Sequence, residues 1–125
     1  MMATANHQFE KIQALKLNKK VVTSTYTVRT GRSVDGHIID NPVDIADPTA
    51  AFTLTVPDGE VMGQELLIVM SSNSSSVECT VNVLHHLTAD PEDRFLNAAD
   101  ESLLMRWTGT EWVPVYDTGS DATGG

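Results

Sequence analysis

At 125 residues, 41% hydrophobic and 20% charged, the chain has the size and composition of one domain that buries about two thirds of its unfolded surface without staples. The net charge of −9 is unevenly spread: residues 1–32 hold six of the eight basic residues against Glu10 alone, about +5, and the remainder carries about −14, so the two parts are expected to meet different surroundings. The acidic body repels phosphate and argues against nucleic acid as a partner; the single Cys79 excludes an internal disulfide and a thiolate zinc site; and neither a membrane-length apolar run nor a secretory apolar core within Met1–Ala14 is present, which predicts a product made in the cytoplasm with no membrane partner.

Residues 1–20 open polar and then place Phe9, Ile12 and Leu15 at three-residue spacing, interleaved with Lys11, Lys16, Lys19 and Lys20. One apolar stripe this short does not hold a helix alone. Two readings stand side by side: a basic N-terminal arm that orders against a partner, or a frayed terminus with one helical turn on its own domain. The β domain is expected over 21–116 and a loose Gly-, Ser-, Asp- and Thr-rich tail over 117–125. Val21–Arg29 reads as a strand, with β-branched and aromatic residues in alternation. Val34–Ala51 reads as one long irregular connection, because Asp35-Gly36, Asp40-Asn41-Pro42 and Asp47-Pro48 are all turn chemistry.

Phe52–Val56 alternates cleanly, with Phe52, Leu54 and Val56 inward, and Pro57-Asp58-Gly59 ends it. Glu65–Met70 is apolar on both faces, as expected of a central strand. After the polar Ser71–Ser76 loop, Val77–Leu84 forms another strand, and these pieces suggest a meander. Asp90-Pro91-Glu92-Asp93 carries the signals of a helix start, with Asp90 as N-cap and Pro91 at the first position, so one short helix of about two turns is expected there.

Glu101–Tyr116 is the strongest local signal, a β-hairpin around Thr108-Gly109-Thr110-Glu111. Gly109 supplies the positive φ that the first central position of a type II′ turn needs. Closing the turn on Thr108 and Glu111 sets Trp107 opposite Trp112, Met105 opposite Pro114 and Leu103 opposite Tyr116. Such a pairing predicts burial of both tryptophans together with Leu103 and Met105. The opposite face, Leu104, Arg106, Val113 and Val115, is also mostly apolar and is expected to meet something as well.

No sequence pattern for chemistry stands out. Phosphate-loop, His–Glu metal and Gly-x-Ser-x-Gly patterns are missing, so no enzyme, metal or cofactor is expected. His85 and His86 are adjacent and would point to opposite faces of a strand rather than to one ion. Asp40, Asp44 and Asp47 lack the spacing of a calcium loop and read as solvated acids.

From Phe52 to Tyr116, the order of pieces resembles a recurring module of tailed-bacteriophage virion proteins: Leu54-Thr55-Val56-Pro57-Asp58-Gly59, then Met62-Gly63-Gln64, a buried strand at Leu66–Met70, a polar loop, a valine strand at Val81–Val83, and finally Ser102–Trp107 with Gly109-Thr110-Glu111-Trp112. The resemblance implies an all-β unit, here an antiparallel sandwich or barrel of about six to eight strands, commonly trimeric, that decorates capsids or builds fibres without catalysis. It implies a capsid decoration, or cement, protein on the virion surface, whose arm residues Phe9, Lys11, Ile12, Leu15, Lys16, Lys19 and Lys20 contact the major capsid protein. The other class it allows is a receptor- or glycan-binding module of a tail fibre or tail tip, in which exposed aromatics would stack on sugar. Pro114 departs from the valine strand of such modules and points to an edge position.

Overall fold

The computed structural model describes residues 19–31, 38–85 and 93–121, and within them the chain is all β, with ten strands and no helix. One five-stranded sheet has the order β1 (Lys20–Val22), β3 (Val43–Ala46), β5 (Glu65–Ser72), β8 (Ser102–Trp107), β9 (Trp112–Asp117). The other has the order β10 (Ser120–Asp121), β7 (Asp93–Leu96), β6 (Cys79–Val83), β4 (Phe52–Val56), β2 (Tyr26–Thr27). Alternation along each strand turns one set of side chains inward, and the inward sets of both sheets form a single apolar cluster. Leu54, Ile68, Val81, Met105 and Trp112 are fully buried in it, each such side chain contributing about 1.5–3 kcal/mol by leaving water.

The first six strands alternate between the two sheets, so each pass through the molecule lays one strand on each. The pairs β1 with β3, β3 with β5, β2 with β4, and β4 with β6 are consequently parallel, and the chain forms a short coil of three turns. The later strands close it with antiparallel pairs. The sheets are therefore mixed rather than antiparallel, and the expected meander is absent. Its connections explain why: segments 57–64 and 73–78 are longer than tight-hairpin loops and carry the chain across to the opposite sheet.

Four further expectations are corrected. Val21–Arg29 is not one strand, because the chain crosses between sheets at Thr23–Thr25: Val22 pairs with Ile45 in one sheet and Tyr26 with Leu54 in the other. Within Val34–Ala51, Val43–Ala46 is a strand whose Val43 and Ile45 alternate inward, held between two parallel partners that turn signals alone do not reveal. The short helix is replaced over 93–96 by β7, where Arg94 and Leu96 are buried and Phe95 is turned outward; two helical turns without an apolar stripe do not offset nucleation, whereas extended backbone adds to the β6 ladder. Asp90, Pro91 and Glu92 lie outside the described residues. The start of the expected tail is structured: Asp117 ends β9, Ser120–Asp121 pair with Phe95 and Arg94, and Asp117 meets the Arg94 guanidinium at 3.3 Å.

In the hairpin, Thr108 N–H donates to the Glu111 carbonyl at 2.9 Å and Gly109 has φ of +109°. Trp107 faces Trp112 and Met105 faces Pro114. Beyond that point a bulge shifts the register, so Leu104 rather than Leu103 faces Tyr116, and Leu103 faces Asp117. Pro114 has no N–H for the ladder, and the irregularity beside it turns Tyr116 to the outside, 58% exposed. β9 is an edge strand. Next to the hairpin turn, Gly59 lies against Trp107 so closely that an added Cβ would stand 2.5 Å from the indole Cγ. Gly59→Ala is accordingly expected to destabilise the fold by about 1–3 kcal/mol through overpacking, read as a lower urea midpoint; an unchanged midpoint would show that segment 57–64 does not pack tightly on the hairpin.

Candidate functional site

The carboxylates that the sequence presents as solvated acids go separate ways. Asp40, only 1% exposed, accepts hydrogen bonds from Tyr26 O–H at 2.5 Å, from Arg29 N–H at 2.8 Å and from the Arg29 guanidinium at 2.9 Å. This corrects its reading as a solvated acid: it ties the segment before β3 to the segment after β2. Burial pushes the Asp40 carboxyl up, but the hydrogen bonds and charge of Arg29, with the Tyr26 hydroxyl, outweigh it and hold the group below its ordinary 3.8. Burial, together with the Asp40 carboxylate, raises the Tyr26 phenol against the opposing effect of Arg29. Asp44 lies 3.7 Å from the Lys19 ammonium, and Asp47 accepts from the Ser74 N–H at 2.7 Å; the Ser74 side chain, and with it this N–H, lowers the Asp47 carboxyl. Among the described residues no group of three His, Cys, Asp or Glu side chains is placed to hold a metal ion.

His85 Nδ1 lies 2.5 Å from Asp58 Oδ1 on the surface, and the His85 carbonyl accepts from Trp112 N–H. His86 lies outside the described residues. The Ser71–Ser76 hydroxyls precede β6 and His85 follows it, so the length of that strand separates them. Cys79 is buried, and burial pushes its thiol up to about 12 despite a backbone hydrogen bond in the opposite sense.

What the strands do build is a pair of unlike outer faces. On the sheet containing β2, β4, β6 and β7, the outward positions of paired strands are Thr27, Thr55 and Asn82 in one row and Thr53, Thr80 and Phe95 in the next. On the sheet containing β5, the corresponding rows are Val21, Asp44, Val69 and Ser102; then Leu67, Leu104 and Tyr116; then Glu65, Arg106 and Val113. Leu67, Val69, Leu104 and Val113 are half-buried by their neighbours, while Val21 is 49% exposed. Two ion pairs flank this apolar strip: Lys19 with Asp44, and Arg106 with Glu65 at 2.6 Å.

Leu103, Met105, Trp107 and Trp112 are buried, and the two indoles tilt at 57° with centroids 5.3 Å apart. Phe9, Lys11, Ile12, Leu15 and Lys16 lie outside the described residues. Lys20 does not belong to an arm: it opens β1, with its ammonium 4.8 Å over the Tyr26 ring, and Lys19 is tied to Asp44. Sequence reasoning missed the Tyr26–Arg29–Asp40 cluster; its one cue is an isolated Tyr and Arg on a strand followed by an Asp after a glycine turn. No protein-family profile and no curated protein matches the chain.

Two outcomes follow. Asp40→Ala leaves Tyr26 and Arg29 without their acceptor and is expected to cost about 1–3 kcal/mol in urea unfolding. Because the folded pKa of Asp40 lies below 3.8, its contribution is complete above that pH and is lost as pH falls through the lower folded value; Asp40→Asn should flatten this part of the acid dependence, and an acid profile identical to the natural chain's would contradict the assignment. For Cys79, a thiol reagent at pH 8 should react with the unfolded protein and not with the folded one; prompt reaction of the folded chain would contradict its inertness.

Proposed function

We propose that the protein is a structural component of a tailed-bacteriophage particle, a decoration protein that binds the outside of the assembled head as a trimer and stabilises it without catalysis. The observation that carries this proposal is the contrast between the two outer faces: threonine and asparagine dominate one, and leucine and valine the other. A solvated molecule gains nothing from a second apolar sheet face, whereas a component of an assembly does. The pieces that resemble phage virion modules fall on β4, segment 57–64, β5, β6 and the β8–β9 hairpin, which is the part of the chain that forms this contrast.

In this role, Phe9, Lys11, Ile12, Leu15 and Lys16 contact the major capsid protein. The chain enters β1 at the edge of the apolar-faced sheet. A basic leading segment ahead of an acidic body orients docking by charge. The glycan-binding alternative draws less support, since both indoles are in the core and Tyr116 is the large aromatic left well exposed among the described residues.

Removal of residues 1–18, which spares β1, should leave a soluble, folded protein that no longer co-sediments with heads of the phage that encodes it. Raising salt from about 0.1 to 1 M, which shortens the screening length from about 10 to 3 Å, should weaken attachment of the full chain. Undiminished attachment of the truncated protein would refute the arm's role.

A further inference from the structure

We propose that the outer face of the sheet β1-β3-β5-β8-β9 is where copies of this chain meet one another. The inference deepens the assembly role proposed above, and rests on it, by naming which partner covers the apolar face: other copies rather than the shell.

The first support is charge. The chain carries −9 overall, so two copies repel wherever their acidic surfaces approach. Among the described residues, the charged side chains of this face are two cations and two anions, Lys19 with Asp44 and Arg106 with Glu65, each pair closed within its own copy. The strip between them, Leu67, Val69, Leu104 and Val113, bears no charge. It is therefore a surface on which identical acidic chains approach at little electrostatic cost, and it offers nothing in particular to a strongly basic or acidic foreign surface.

The second support is the way the sheet ends. Edge-to-edge addition of copies through β9 is opposed by Pro114 and by the bulge after Leu104 in the β8–β9 ladder. With the β9 edge blocked and the face left apolar, contact falls on the face rather than on β9. Tyr116, turned outward by the bulge, extends the apolar strip to the rim of the sheet, where a large aromatic suits an interface. Five strands about 4.8 Å apart and some 17 Å long present roughly 400 Å² of footprint, about half of what one partner contributes to a standard interface. Association through this face alone is thus expected to be weak, and the shell would reinforce it by raising the local concentration.

The test is sedimentation velocity on the full chain from about 1 to 300 μM, with no capsid present. The natural chain should show a rise in average mass with concentration. Leu104→Glu, which sets a charge in the centre of the strip, should weaken association by about tenfold or more, and Thr55→Lys, on the opposite sheet's outer face, should leave it unchanged. Circular dichroism checks that each variant is folded; should Leu104→Glu not fold, Val113→Lys, nearer the edge, replaces it. A natural chain that stays monomeric throughout overturns the proposal, whether the face is then bare, covered from within the same chain, or reserved for the shell. Folded face variants that associate like the natural chain overturn it too. Association that depends on Leu104 in a protein that does not bind heads would keep this inference and remove the decoration role, so the two fail separately.

Discussion

The Trp112 side chain and backbone hold the two sheets together at one end of the molecule. Trp112 belongs to β9 of one sheet, yet its indole N–H donates to the Pro57 carbonyl at 2.8 Å, just beyond β4 of the other, and its backbone N–H donates to the His85 carbonyl beyond β6 at 2.8 Å. A large apolar ring that must also satisfy one N–H has few places in a core; here the donor reaches the end of a strand in the facing sheet. Trp107 packs against it, and segment 57–64 folds over both: Gly63 N–H donates to the Trp107 carbonyl, Trp107 N–H to the Gln64 carbonyl, and the Gln64 side chain accepts from the Glu60 and Val61 amides. The hairpin thus joins the parallel coil to its antiparallel closing strands, and the opposite faces of the sheets are free to differ.

What was legible in the sequence was local. The hairpin turn, the Trp107–Trp112 pair and the alternation of Phe52–Val56 could be read because turn chemistry and period-two patterning act between near neighbours. The strand order could not, since a parallel coil pairs residues 23 to 28 positions apart, Lys20 with Val43 and Tyr26 with Leu54, with no signature in between. β3 was hidden for the same reason: Val43 and Ile45 are only two inward residues, and their partners lie in other turns of the coil. The helix signals around Asp90 misled because capping preferences weigh less than the ladder that β7 makes with β6. The slip at Tyr116 followed from Pro114, whose edge position was readable although the bulge beside it was not.

The candidate surface was half legible. That both faces of Glu65–Met70 and of the Trp hairpin are apolar could be seen in the sequence; that β5 and β8 are neighbours, so that Leu67 and Leu104 stand opposite each other in one continuous strip, could not. The Tyr26–Arg29–Asp40 cluster shows the converse case, where an acid that reads as solvated loop proves to be buried and tied to the half-buried Tyr26 and the exposed Arg29 of another turn of the coil. It serves the fold by fixing the chain ahead of β3, and through β3 the parallel register of the apolar-faced sheet.

The most direct test of the proposed role is an image of phage particles whose genome encodes this chain, at a resolution that locates and orients its sheets. The expected result is density on the outside of the head, with the Leu67–Leu104 face turned toward neighbouring copies and the threonine face toward solvent. Density at the tail tip, or copies standing apart with the Leu67–Leu104 face open to water, would contradict the central claim that this fold is built to be covered.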